Sequence, residues 1–588
     1  MFFAFSRGNN SRVIPCVLFE DEHLLVVDKP AGVNTHAPSP FAGEGLYDWL
    51  RHREARWARL AIIHRLDKET SGVMVFGKTP LANRSLTEQF TAREVHKKYL
   101  LMTDRPVKRG EFTVKSSLVR VGERYASRAE GEQAETQFRV IESRDGRTLV
   151  EAEPRTGRTH QIRVHAAESG FPILGDVLYG GTAAERVFLH AAELSFKHPA
   201  TQAVCEFGAS VVGQASRLSG GSADCKLSRQ IPGMAHWTGE TPVPLPSGSS
   251  AGTIARRLAL IDSTETNAFR LIHGASDGWS GWYVEQLGDF LLSQSEHPLT
   301  TGQHAALAPL LELTRARGAY HKILNRQVRR TVATDASPQL VLGEAAPERF
   351  EVRENGVNFE LSFAEGYSVG LFLDQRDNRR RFLSGHIAAG FPLTQPSATL
   401  SPSDGEKDGV RGGPMFEVLN TFAYTCGFSV CAAKAGARVK SLDLSKKYLE
   451  WGRRNFALNG LDPAAHDFIF GDTFDWLRRL AKKGRVFDAV VLDPPTFSQS
   501  KESGVFRAEK DYGKLVVAAL VVLKPEGVLL ASTNAAEWSP EEFVATVKAA
   551  VVSAKRRVVQ EHFVPQPLDF PITRAEPGYL KTLWLRVG

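Results

Sequence analysis

Residues 208–253 hold no sustained period of 2 or 3.6, and half of these 46 residues are Gly, Ser, Pro or Thr. The stretch closes on TGETPVPLPSGSSAGT. A segment of this kind cannot present an apolar face to a core, so it divides the 588 residues into bodies that must each bury their own. A flexible linker or surface insertion is the expectation. A second stretch, 391–413 (FPLTQPSATLSPSDGEKDGVRGG), has similar composition but interrupts a well-patterned region, which predicts a loop insertion inside a domain.

The two flanks differ in pattern. Before the linker, short β-like runs dominate, among them CVLFEDEHLLVVDKP, GVMVFGK, KYLLMT, TQFRVIES and RTLVEAEP, with a helix near 81–94. They predict a mixed, strand-rich α+β domain over 1–207. Residues 254–350 also read as strand-rich, a small β-rich α+β domain with one helix at 302–317. From 416 onward strands and helices alternate: FEVLNTF, VKSLDL, HDFIFGD, FDAVVLDP and GVLLAST are separated by helical patterns at 445–457, 473–482 and 510–523. Alternation of that kind predicts an α/β doubly wound, Rossmann-like domain over 351–588, with ligands at the carboxyl ends of its strands.

Composition narrows the setting. A net charge of +7 permits a nucleic-acid partner without demanding one, because local patches decide such binding. The five cysteines form no CxxC pair and no metal-ligand spacing, so neither a disulfide framework nor a metal site is expected. The opening MFFAFSRGNN has too short an apolar run for a secretion signal, and no stretch of about 18 apolar residues occurs. A cytoplasmic protein is the expectation.

Residues 64–72, HRLDKETSG, set Asp67 between Arg65 and Lys68 and lead into apolar VMVFG. Downstream follow HKKYL (96–100), PRTGRTHQIRVH (154–165), GFPILGDVLYG (170–180) and LHAAELSFKHP (189–199). Arg158, His160, Gln161 and Arg163 alternate with small residues, as a strand edge or loop facing phosphates would require. Taken in this order, the segments resemble the RluA type of pseudouridine synthase over about 13–200. The resemblance implies isomerisation of uridine in structured RNA, in which the base is flipped, detached, turned and rejoined through carbon 5. By the family motif Arg65 would fill the vacated place in the stack, and Asp67 would act at the sugar or base as an ionised carboxylate. Arg163 is then the guanidinium that keeps it ionised. Tyr99 would stack on the flipped ring and help remove the carbon-5 proton. No cofactor is implied for this half.

A second set of residues lies in the alternating region. VLDPPTFSQSK (491–501) puts an acid and two prolines at a strand end, a rigid loop with free carbonyls. LNTFAYTCGFSV (419–430) turns into a helix start, with Asn420, Thr425, Gly427 and Phe428 in the turn. Asp443 follows Asn420 by 23 residues and suits a ribose; Asp472 ends the third strand, where an adenine edge would be met. A dinucleotide dehydrogenase shares the acid spacing, but GxGxxG is absent and DPPTF is foreign to it. The region resembles class I S-adenosylmethionine-dependent methyltransferases. More narrowly, 264–588 resembles the RlmI and RlmK kind, through TNAFRLIHGASDGWSGWYVEQLGD (266–289), GYSVGLFLDQRDNRR (366–380) and DPPTF. That resemblance implies that Phe372, Asp374, Gln375 and Arg376 help enclose the cofactor, that Asp493 and Pro494 hold the base edge, and that Phe497 stacks on it or is a core aromatic.

Two departures from the family pattern stand out. Cys426 occupies a position usually held by glycine (AYTCG), where a side chain could crowd the methionine part of the cofactor or, being as small as Cys, fit beside it. The fifth strand ends ASTNAAEW, with Ser532, Thr533 and Asn534 where carbon-5 cytosine enzymes carry a nucleophilic cysteine. Methylation of guanine N7 is therefore favoured over cytosine carbon 5. The expectation is a bifunctional RNA-modifying enzyme on 23S ribosomal RNA, with transfer RNA second. The alternatives are a single active head, the pseudouridine synthase, or a non-catalytic RNA-binding assembly factor.

Overall fold

The computed structural model describes residues 14–108, 110–209, 254, 257–324, 337–365, 368–394, 415–500 and 504–588. Nearly all of the expected linker and most of the expected insertion lie outside the described residues. The chain groups into two compact units, Met1–Thr35 with Leu60–Ser263, and His36–Arg59 with Thr264–Gly588.

The first unit is built on an 11-stranded sheet. Its path runs Val17–Glu20, Leu24–Lys29, Ser71–Gly77, Leu189–Lys197, His96–Thr103, Arg147–Pro154, Glu132–Arg144, Glu111–Val121 and Arg124–Ser127. Every residue of Ser71–Gly77 is buried, so the apolar run after HRLDKET is a central strand covered on both faces. The motif's Ser-Gly ending has a packing cause. Ser71–Gly77 pairs in parallel with Leu189–Lys197, Gly72 opposite Ala191, and Gly72 sits at φ +116. A Cβ there would lie 2.2 Å from the Ala191 carbonyl oxygen, a distance that only glycine permits. The Ser71 hydroxyl lies 2.9 Å from His190 Nδ1 across the same contact.

QIRVH departs from the expected strand edge or loop. Residues Gln161–Glu168 form a helix that begins directly after His160, whose φ of 57° is left-handed. Six of its eight residues are buried, including Gln161, Arg163 and His165.

The second unit carries a five-stranded sheet in sequential order, Ala268–His273, Trp282–Leu287, Phe290–Ser295, Gly318–Ile323 and Gln339–Gly343. Helix Thr301–Thr314 makes its one parallel crossover. Its larger sheet comprises β1 (Glu417–Thr421), β2 (Arg438–Asp443), β3 (Asp467–Phe470), β4 (Phe487–Leu492), β5 (Leu523–Thr533), β6 (Val558–Val564) and β7 (Lys581–Val587). The order is β3-β2-β1-β4-β5-β7-β6. The first five strands are mutually parallel, and β7 enters antiparallel between β5 and β6. The sheet is thus doubly wound with an antiparallel edge, and the order reverses beside β1, the usual place for a ligand crevice. The insertion expected from 391 starts later: Phe391–Pro392 pairs with His386–Ala388, and Leu393 is buried.

Two candidate active sites

Asp67 lies on the turn before Ser71–Gly77, half-buried, with Arg65 exposed two residues earlier. His64 of the motif is structural. Its Nε2 accepts the Val75 N–H at 3.1 Å and its ring stacks on Phe90 at 4.8 Å. Burial, with Lys97 adding to it, pushes the imidazole down to about 3, so it stays neutral.

The Asp67 pocket is lined by Lys68, His160, Arg163, Asp176 and Arg186 as well. Arg163 Nη1 stands 3.8 Å from Asp67 Oδ2, in the place expected of the guanidinium. What sequence reasoning missed is Asp176, 1% exposed, which takes Arg163 in a two-pronged pair at 2.7 and 2.8 Å. Arg163 also lies over the Tyr179 ring at 5.0 Å. Its donors are therefore fixed before any substrate arrives. Tyr99, on His96–Thr103, is close enough for the Asp67 charge to act on it. Burial first and that charge second raise its phenol, so it is a neutral hydroxyl here.

Gln161 corrects an expectation: it does not face phosphates. It is 3% exposed and wholly engaged, bonding Thr156 Oγ1, Thr136 Oγ1, the Glu135 carbonyl and the Arg158 N–H. Its amide sews the basic loop to the sheet. Arg158 remains exposed, ion-paired with Glu132.

In the second unit the β1 turn has three left-handed non-glycine residues, Phe422, Tyr424 and Cys426, at φ 56, 49 and 66. Asp443 steadies it, accepting the N–H groups of Tyr424 and Ser445, each at 2.8 Å. Burial is the largest influence on Asp443 and moves it upward. With the Leu444 N–H it accepts three backbone bonds, which leave one of the carboxylate's four lone-pair sites open. Leu444 and Phe470, both exposed apolar residues at the β2 and β3 ends, went unmarked in the sequence. Asp472 caps helix Thr473–Lys482, accepting the Asp475 N–H at 3.0 Å. Asn420 (on Ser429 Oγ), Thr425 (on the Gly370 carbonyl) and Phe428 are buried in packing, and Gly427 opens helix Gly427–Lys434.

Phe372 is exposed, its ring 5.2 Å from that of Tyr424, whereas Gln375 is buried on Ser532 Oγ at 2.8 Å. Arg376 is turned to Asp569, with Nη1 at 2.9 Å from its carboxylate, both groups buried. Phe497, 42% exposed on hairpin Phe497–Ser500/Gly504–Arg507, is not a core aromatic, while Pro494 beside it is buried.

Of the two alternatives for Cys426, the geometry favours the one in which the small side chain fits. The residue is fully buried, and its sulfur lies where a Cβ on Gly452 of helix Lys446–Leu458 would be, 2.3 Å from that position. The thiol is turned into the layer between sheet and helix.

Residues 23–168 match the family model for RNA pseudouridylate synthase, and 411–585 match that for S-adenosylmethionine-dependent methyltransferase. A ribosomal RNA large subunit methyltransferase of Deinococcus radiodurans is 33% identical over 57% of this chain and 77% of its own length. The chain belongs to the ribosomal RNA large subunit methyltransferases. Another such enzyme, methyltransferase I of Erwinia tasmaniensis, is 31% identical over 56% of this chain and 76% of its own. The ribosomal large subunit pseudouridine synthase C of Yersinia pestis is 40% identical over 32% of this chain. This chain spans 62% of that protein's length. A large-subunit methyltransferase is here joined to a pseudouridine synthase domain, and S-adenosylmethionine is the cofactor of the methyltransferase domain. Among the described residues, no helix is long and apolar enough to cross a membrane.

The methyltransferase crevice holds one group poised near neutrality. Burial, then the like charge of Asp374, pushes Asp493 up to about 7, against the opposing bonds of Ser532 and Gln375 and the charge of Arg379. Asp374 is itself raised, chiefly by burial. A carboxyl raised above its unfolded value stabilises the fold fully only below that value, and the benefit is lost as pH rises toward 7. The melting midpoint of this protein's methyltransferase unit should fall between pH 5 and 7, on the order of 2 °C per pH unit. Asp493→Asn should flatten that slope in scanning calorimetry, and an unchanged slope would remove Asp493 as its source.

Proposed function

We propose that the chain is a bifunctional enzyme of the large ribosomal subunit's RNA, converting a uridine to pseudouridine with one head and methylating guanine N7 with the other. Transfer RNA is the second choice of substrate, and the cytoplasm the proposed place of action. For the first head, support comes from an open pocket where Asp67 faces the fixed donors of Arg163. Arg65, exposed beside it, would replace the flipped base in the stack, and Arg158 would meet phosphate.

The observation that carries the choice of methylated atom is the chemistry available at the β5 end. Ser532, Thr533 and Asn534 stand there, and the unit's two cysteines, Cys426 and Cys431, are buried with thiols raised chiefly by that burial, Cys426 to about 12. Carbon 5 of cytosine needs covalent activation by a thiolate, and neither cysteine supplies one. A ring nitrogen needs only its lone pair aligned with the methyl group.

The residues present suit S-adenosylmethionine. Asp443 keeps acceptor capacity toward a ribose hydroxyl, and exposed Leu444 and Phe470 offer apolar faces to an adenine. Asp374 and Asp493 offer carboxylates to its cationic end. When bound, it supplies an electrophilic methyl group. Phe372 would close over the cofactor and Phe497 would stack on the base, with Pro494 shaping the base edge. Asn420, Thr425, Gly427, Phe428, Gln375 and Arg376 would act by holding that frame, and Asp472 by fixing the helix after β3.

Nucleoside chromatography with mass spectrometry on ribosomal RNA from cells with and without the protein tests the proposal. Loss of both pseudouridine and 7-methylguanosine is the expected result. A drop in 5-methylcytidine instead would refute the argument from the missing thiolate.

A further inference from the structure

The short turn Val177–Tyr179 does more than supply Asp176. Tyr179 Oη lies 2.7 Å from His160 Nδ1 and accepts the Tyr125 N–H at 2.9 Å. The other imidazole nitrogen, His160 Nε2, stands 3.9 Å from Asp67 Oδ2. These contacts have a direction. With one site on Tyr179 Oη taken by a backbone N–H, its own hydroxyl proton is free to point along the 2.7 Å contact. If Nδ1 carried the proton instead, Nε2 would turn a lone pair toward an anion. The field of Asp67 therefore favours a proton on Nε2, and a proton there requires Nδ1 to be the acceptor.

We infer that Tyr179 is a positioning residue that fixes His160 as its Nε2–H tautomer, so that Asp67 faces two donors of different kind, the Arg163 cation and a neutral imidazole N–H. The groups around the ring are Asp67, Arg163, Asp176, Tyr125 and Tyr179. Tyr125 and Tyr179 meet it edge-on, with centroids 5.4 and 5.6 Å away, which leaves little freedom for a ring flip. A neutral donor has a chemical use beside a nucleophile. At 3.9 Å its N–H dipole favours the carboxylate electrostatically, short of a hydrogen bond, without the second positive charge that would blunt its reactivity. Burial, the largest influence on His160, keeps the ring on the neutral side.

Glycine makes the geometry possible. Gly175 sits at φ +85 with the Arg186 carbonyl 1.7 Å from where a Cβ would be, and a Cβ on Gly181 would lie 2.0 Å from the Ile173 carbonyl. The turn that carries both Asp176 and Tyr179 can pass only if these positions have no side chain.

The test has one arm that needs no substrate. Imidazole 15N NMR of the full chain labelled at histidine, with the His160 resonances assigned from His160→Gln, reads the tautomer directly. The Nε2–H form is expected in the wild type and a mixture in Tyr179→Phe. An Nδ1–H wild type, or a tautomer unmoved in Tyr179→Phe, overturns the inference. The kinetic arm rests on the pseudouridine synthase reading and uses a large-subunit ribosomal RNA transcript tritiated at uridine carbon 5. Gln places its amide near the Nε2 position and Asn near Nδ1, and Asn tolerates the left-handed backbone well. Single-turnover tritium release should therefore fall about tenfold in His160→Gln and about a hundredfold in His160→Asn, at unchanged RNA affinity and melting temperature. Equal losses in the two variants, or a reversed order, would overturn it. Absence of turnover by the wild type would fail the substrate reading and leave the NMR result to stand by itself.

Discussion

Replacing Asp67 by Asn should lower pseudouridine formation by at least about ten-thousand-fold while the protein still folds and still binds RNA. On the proposed assignment the side chain would be the nucleophile or charge partner in the isomerisation, and an amide of the same shape supplies neither role. The structure explains why the fold should not notice. Asp67 is half-buried, and its nearest ionic contacts, to Arg163 and His160, are 3.8 and 3.9 Å, too long to be hydrogen bonds. Arg163 keeps its partner, because Asp176 holds it from the other side at 2.7 and 2.8 Å. No cation is left buried and unpaired, so the change in stability should stay within about 1 kcal/mol. RNA affinity should be equal or tighter, since the substitution removes a negative charge beside Lys68, Arg163 and Arg186. Methyl transfer by the same preparation serves as the internal control. Tritium release, filter binding and calorimetry on one batch separate these outcomes. Retained turnover would remove Asp67 from the chemistry, and lost RNA binding would make it a docking residue.

Asp67, Tyr99 and Arg163 were legible because each stands in a short ordered motif, and the strand positions followed from alternation that burial enforces. Asp176 was not, although its segment was in view. Whether an aspartate 13 residues beyond Arg163 is a brace or a surface charge depends on a turn that only the folded chain displays. The same holds for Arg376, whose partner Asp569 is 193 residues away. Gln161 misled for a related reason. Polar residues read as solvent-facing, yet a buried amide that satisfies four partners is stable inside. Asp472 has a capping role that went unread although its signal was present. GDTFDW places an acid directly before a helical pattern with another three residues on, which is an N-cap signature, and capping takes one of its lone pairs. The exposed Phe470 and Leu444 carried no signal at all, since a strand-end apolar residue reads as core until its cover is known to be missing.

Cys426 and Gly452 should prove to be a matched pair, and the second large effect expected is that Gly452→Ala unfolds the methyltransferase unit under conditions where the wild type is stable. A Cβ at Gly452 would stand 2.3 Å from the Cys426 sulfur and 2.9 Å from its Cβ, with Phe468 at 3.6 Å. Neither partner can retreat. Cys426 is fully buried and held at φ 66 by the turn, and Trp451, next to Gly452 on its helix, is buried with its indole N–H on the Glu360 carbonyl at 3.0 Å. Forcing a methyl group into such a space costs about 1–3 kcal/mol when side chains can shift, and more when they cannot. Cys426→Gly should behave oppositely. It opens a small cavity but relieves a left-handed non-glycine backbone worth about 1–2 kcal/mol, so the single variant should melt near the wild type. The double variant is the decisive measurement. With the sulfur gone, the alanine methyl fills the vacated volume, and Cys426→Gly should restore most of the stability lost in Gly452→Ala, a coupling of at least about 2 kcal/mol. Additive losses in the double-mutant cycle would show that the two positions do not share one space. Because this turn follows β1 and is tied to Asp443, cofactor affinity should track the same cycle, weakened in Gly452→Ala and recovered in the double variant.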